Sequence, residues 1–197
     1  QHLGPDDIDE AIVRNSSILY LEGYLWDPPA AKEAFKKAAA ISHAAGHQVA
    51  LTLSDSFCVD RYRDEFLELI RHKVVDLVFA NQHELKSLYQ TADLDTAIRA
   101  IREEGVLAAV TLSEQGSMVI TREETHKVPA QPIERLVDTT GAGDLYAAGF
   151  LSGLAKGVDL VDCARLGAIA AAEIIQHYGA RPNQNLLNLA SQNGLKL

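Results

Sequence analysis

Apolar positions along this chain alternate between two periods. Short runs with strand character occur at residues 17–21 (SILYL), 48–53 (QVALTL), 74–80 (VVDLVFA) and 106–112 (VLAAVTL). Between them lie stretches with helical spacing, residues 30–45, 60–72, 82–89 and 94–104, of which the first and last stop at Gly46 and Gly105, good helix-ending residues. Residues 117–121 and 126–128 read as a hairpin. After Gly141 the character changes to two helices, 142–155 and 160–177, parted by Lys156-Gly157-Val158. Strands alternating with helices predict an α/β layer fold built on a largely parallel sheet with helices on both faces. No internal repeat and no Ser/Pro-rich linker divides the chain, so residues 1–197 are read as one domain.

Composition narrows the function classes. An apolar fraction of 47% is that of a globular protein, and the longest apolar stretches, such as residues 167–172, are too short to span a bilayer. No basic stretch followed by an apolar one resembles a signal peptide, so a cytoplasmic location is expected, with no membrane partner. A net charge of −9 offers no basic stripe for nucleic acid, while a local cradle of backbone N–H groups can still hold an anionic nucleotide. Cys58 and Cys163 lack metal-ligand spacing and are expected as reduced thiols. His43, His47, His72, His83, His126 and His177 are scattered, which favours solvated or capping roles.

The sharpest signal is Asp138-Thr139-Thr140-Gly141-Ala142-Gly143-Asp144. Its glycines permit a tight turn at a helix start, where several N–H groups and the helix dipole converge on one anion. Asp144, in the first helical turn, could take the proton of an attacking hydroxyl beside a transferring phosphoryl group. A glycine turn before an acid-capped helix is the plainer reading of GAG alone, but the seven-residue string is much more specific.

DTTGAGD followed by LYAAGFLSGLAKG resembles the C-terminal signature of the ribokinase-like (PfkB) family of carbohydrate and nucleoside kinases. The resemblance implies a Rossmann-like fold, ATP-dependent phosphorylation of a hydroxymethyl group, and Mg²⁺ as counter-ion. It implies Asp144 as catalytic base, with Gly141, Ala142 and Gly143 as the backbone anion hole and Thr139 beside the nucleotide. Asn81-Gln82-His83-Glu84 resembles the family's Asn-x-x-Glu motif, which makes Asn81 and Glu84 the organisers of hydrated Mg²⁺; by itself the tetrad is also a helix cap with a capping-box Glu. Thr111 to Gly116 (TLSEQG) resembles the nucleotide loop Thr-x-Gly-x-x-Gly, with Ser113 in place of the first glycine. Gly179 and Ala180 stand where the family lines the adenine pocket and a monovalent-cation site, so the resemblance admits K⁺; a helix C-cap glycine is the other reading of Gly179.

Two segments point to the acceptor. Leu53-Ser54-Asp55-Ser56-Phe57 resembles the Leu-Ser-x-x-Phe of adenosine kinases, and the run before Asn81 does likewise. Arg61, read as the arginine of sugar kinases, keeps a ribokinase- or fructokinase-type acceptor as an alternative, and a nucleotide-binding module without catalysis is a third. The absence of GxGxxG after an early strand speaks against a dinucleotide oxidoreductase. Tyr24 and Trp26 could face an acceptor, although packing is the simpler role. A homodimer is compatible with all three. The family's N-terminal portion, which carries acceptor residues and a β lid, has no counterpart here, and the only methionine is Met118. The chain is therefore expected to be the later part of a longer protein, inactive as a kinase in isolation.

Overall fold

The structure, a computed structural model, describes residues 3–195. Its elements run α1 (Glu10–Arg14), β1 (Ile18–Glu22), α2 (Pro29–Ala44), β2 (Gln48–Thr52), α3 (Ser56–Arg71), β3 (Leu77–Asn81), α4 (Gln82–Leu88), α5 (Leu94–Glu104), β4 (Leu107–Thr111), β5 (Ser117–Ile120), β6 (Thr125–Val128), α6 (Ala142–Leu154), α7 (Leu160–Ile174) and α8 (Leu186–Gln192). The strands form one six-stranded sheet in the order β1-β2-β3-β4-β5-β6. β1 pairs parallel with β2, from Ile18 opposite Gln48 to Glu22 opposite Thr52, and β2 pairs parallel with β3. This is the expected α/β architecture with a largely parallel sheet.

Two compact units make up the chain: Gln1–Val110 with Ile120–Glu124, and Thr111–Val119 with Thr125–Leu197. In the first, Val49, Ala50 and Leu51 of β2 are all fully buried. Successive strand residues point to opposite faces, so β2 is covered on both, as a central parallel strand must be. Pro29 at the first position starts α2, and a ring cluster of Trp26, Phe35 and Phe66 packs beside it, with centroids 5.5 and 5.9 Å from the Trp26 ring. Trp26 is 1% exposed and donates from Nε1 to Glu65 Oε2 at 2.9 Å, so it has the packing role.

In the second unit α6 and α7 lie backbone to backbone. A Cβ on Gly149 would sit 2.6 Å from the Leu166 carbonyl oxygen, and one on Gly167 would sit 2.7 Å from that of Tyr146. α8 closes a small core of Leu166, Ile169, Ala190 and Leu195. Both cysteines are buried free thiols, and burial pushes each up to about 11, which keeps them protonated.

Element boundaries depart from the sequence reading by more than one residue in three places. Helix α3 starts at Ser56 rather than residue 60, because Asp55 caps it by accepting from the Cys58 N–H at 2.8 Å. Strand β3 starts at Leu77 rather than 74, since the amides of Val74 and Val75 are taken by the Leu69 carbonyl at the end of α3. Helix α7 ends at Ile174 rather than 177: the Gln176 side chain donates to the Ala172 carbonyl that a continuing helix would reserve for the Gln176 amide. Gly179 consequently lies beyond the helix end and is not its C-cap. Helices α1 and α8 had no counterpart in the sequence reading. No helix among the described residues is long and apolar enough to cross a membrane.

Candidate active site

Residues 138–144 form a turn that delivers the chain into α6. Asp138 Oδ1 accepts from the Thr140 N–H at 3.0 Å and from the Thr140 hydroxyl at 2.7 Å. Its Oδ2 accepts from the Gly179 N–H at 3.4 Å. The Thr140 N–H, then the Thr140 hydroxyl, then the Gly179 N–H hold the Asp138 carboxyl below its ordinary value. Asp138 was read only as part of the motif; its role in fixing the turn was not foreseen, although an Asp two residues before a Thr is an Asx-turn signal.

Gly141 caps α6 in the left-handed region, with φ +80°. A Cβ there would stand 3.0 Å from the Ala180 Cβ, so Gly141 and Ala180 touch and neither leaves room. The Ala142 amide donates to the Thr139 carbonyl, and the Leu145 amide to that of Gly141. Among the described residues, the amides of Gly143 and Asp144 have no protein acceptor, as the first turn of a helix dictates. Nothing lies within 4 Å of where a Gly143 Cβ would be. Gly143 has helical backbone and free space around it, so neither strain nor packing accounts for a glycine there. Asp144, exposed in the same turn, stands at that opening.

The second glycine loop, Thr111 to Gly116, belongs to the same unit. Leu112 N–H donates to the Gly116 carbonyl at 2.8 Å, and Gly116 N–H to that of Ser113 at 3.1 Å. Ser113 adopts φ +55°, the conformation glycine takes at no cost and other residues at about 1–2 kcal/mol. The serine thus takes a left-handed conformation open to glycine at lower cost. Gly116 is obligatory: a Cβ would lie 2.1 Å from the Val128 carbonyl oxygen.

Asn81 and Glu84 belong to the first unit. They close a complete capping box on α4. Asn81 Oδ1 accepts from the His83 and Glu84 amides at 2.8 and 2.9 Å, Glu84 Oε2 from the Asn81 amide at 2.9 Å, and Glu84 Oε1 from Asn81 Nδ2 at 2.6 Å. Burial pushes the Glu84 carboxyl up; the Asn81 N–H opposes this and the Asp55 charge adds to it. The geometry of NxxE is that of a helix cap closed by a buried acid.

Near the ends of β1 and β2, Tyr24 is 52% and Phe57 82% exposed, and the Tyr24 amide donates to Ser54 Oγ at 3.1 Å. Arg61 is engaged by Asp27 at 2.7 Å, which also accepts from the Tyr62 hydroxyl at 2.5 Å. One site-related residue escaped the sequence reading. Glu173 is a buried carboxylate in the apolar run AAAEII, and a lone acid on an apolar helix face was the available signal.

A glycine turn that opens onto a helix start with free amides, with an acid in the first turn, gives this α/β fold a place chemically suited to an anion. The model of the pfkB family carbohydrate kinases matches residues 2–186, and the chain belongs to that family. An adenosine kinase from Sinorhizobium meliloti is 52% identical with a TM-score of 0.95, and a "probable sugar kinase" from Rhizobium etli 50% identical with a TM-score of 0.97; each alignment covers 98% of this chain and 59% of the other. An uncharacterized sugar kinase of Archaeoglobus fulgidus is 38% identical over 111 residues, 55% of this chain and 43% of that protein. The chain spans about two-fifths of the length of the curated relatives it matches first.

Proposed function

We propose that this chain is the nucleotide-binding and catalytic portion of an ATP-dependent kinase that phosphorylates a hydroxymethyl group, adenosine being the favoured acceptor. The open space at Gly143, on the turn that presents Asp144, carries the reading. The amides of Gly141, Gly143 and Asp144 and the positive end of α6 receive the phosphoryl group as charge builds on it, whereas the Ala142 amide, expected in the anion hole, is committed to the Thr139 carbonyl. The Asp144 carboxylate takes the proton of the acceptor hydroxyl. That oxygen bonds to the γ-phosphorus, the bond to the ADP oxygen breaks, and ADP leaves. Thr111, Ser113, Gly116 and Thr139, with Gly179 and Ala180, would line the nucleotide. Asn81 and Glu84 would hold Mg²⁺ through its water shell, their direct bonds being committed to the capping box; the ion supplies charge neutralisation when bound.

For the acceptor, the exposed aromatic faces of Tyr24 and Phe57 suit a flat base. Arg61, which a sugar kinase would direct at its substrate, is tied to Asp27. This favours the nucleoside over the sugar. The experiment measures ADP release by the whole protein with adenosine, ribose and fructose, for the wild type and Asp144→Asn. The variant is expected to keep its nucleotide affinity and lose about 10²–10⁴-fold in turnover. Near wild-type turnover would remove Asp144 from the role of base, and preference for ribose or fructose would overturn the acceptor.

A further inference from the structure

We infer that Glu173 is a positioning residue for the phosphate cradle, acting through the segment that follows α7; the inference rests on the cradle reading above. Burying a carboxylate is costly unless it is well bonded, and Glu173 is only 4% exposed on a face otherwise built of Ala, Ile, Leu and Gly. Its Oε1 accepts from the amides of Asn183 and Gln184 at 2.9 and 3.0 Å. His177 Nε2 lies 3.2 Å from both of its oxygens. One side chain thereby fastens residues 177 and 183–184 to the end of α7. Residues 178–185 are all exposed, so packing does little to hold them, and the bonds to Glu173 set their course.

The chain from Ile175 to Ala180 is what the cradle is built against. The Ile175 carbonyl accepts from the amides of Val137 and Asp138 at 2.8 and 3.3 Å. Gln176 Oε1 accepts from the Glu134 amide at 2.9 Å. Gly179 donates to Asp138, and Ala180 fills the space beside Gly141. An alignment error in residues 177–184 therefore passes directly to the turn that aims the Gly143 and Asp144 amides. Glu173 touches no reacting atom; it fixes where the cradle stands.

The test compares Glu173→Gln, which keeps the shape and one acceptor oxygen, with Glu173→Leu, which keeps neither acceptor. Amide hydrogen exchange is read at Val137, Asp138 and Thr140 and at interior positions of α6 and α7, together with the affinity for ADP. Glu173→Leu is expected to speed exchange at the three turn amides by about tenfold or more while leaving the helix interiors unchanged, and to weaken ADP by a similar factor. Glu173→Gln should recover part of both. Unchanged exchange at the turn, or acceleration spread evenly over α6 and α7, overturns the inference. If the leucine variant does not fold, the glutamine variant decides by the same comparison. Failure of the wild type to bind ADP would strike the cradle reading alone, because the exchange pattern still decides what Glu173 positions.

Discussion

Gly141 and Gly143 stand two residues apart in one motif and are glycines for opposite reasons. Gly141 is required by the fold: its φ is +80° and Ala180 occupies the space beside it. Gly143 is required by nothing in the protein itself. Gly141→Ala is therefore expected to destabilise by about 1–3 kcal/mol, the cost of a strained backbone position. Gly143→Ala should leave stability unchanged or raise it by up to about 1 kcal/mol, since alanine favours the helix. Its methyl group would enter the path of the phosphate and weaken ADP binding at least tenfold. Thermal melts and ADP titrations of the two variants separate the effects, and full ADP affinity in Gly143→Ala would mean that the opening is not used. From sequence the two glycines look alike; only the neighbours of each Cβ tell them apart.

At the level of elements, the turn into α6 is set by a charge as well as by glycines. Asp138 has a lowered folded-state value, held there first by the Thr140 amide, then by the Thr140 hydroxyl and the Gly179 amide. A depressed carboxylate contributes order that is present above its unfolded value, about 3.9, and lost as the pH falls through its folded value. The turn should therefore loosen only in strong acid, and Thr140→Val, which removes the hydroxyl alone, should raise the Asp138 value part of the way to normal. Carboxyl NMR titration of wild type and variant checks this; an unmoved Asp138 would contradict the assigned cause. Elements themselves were legible where period and caps agreed, as at α5, whose 94–104 span matches the structure. They were misread where a side chain competed with the backbone. Asp55 starting α3 and Gln176 ending α7 are both such cases, and both sit beside segments that shape the site.

For the whole molecule, the strand–helix alternation carried the α/β class, and β2, apolar at successive positions, announced a sheet covered on both faces. The glycine turn into α6 was legible because it is local, seven consecutive residues at a helix start. Glu173 was not, because its purpose lies in bonds to residues ten and eleven positions away. The same limit applies to Asn81 and Glu84, whose spacing fits a cap and a cation-organising pair equally, and whose geometry is that of a cap. The central claim, that the glycine turn into α6 together with the Thr111–Gly116 loop receives a nucleotide, is tested most directly by following the backbone amide resonances of this chain during titration with Mg²⁺ and ADP. The account predicts saturable shifts concentrated at residues 111–116, 139–145 and 178–180, and their loss at 139–145 in Gly143→Ala. Shifts confined to other segments, or none at saturating ADP, would contradict it.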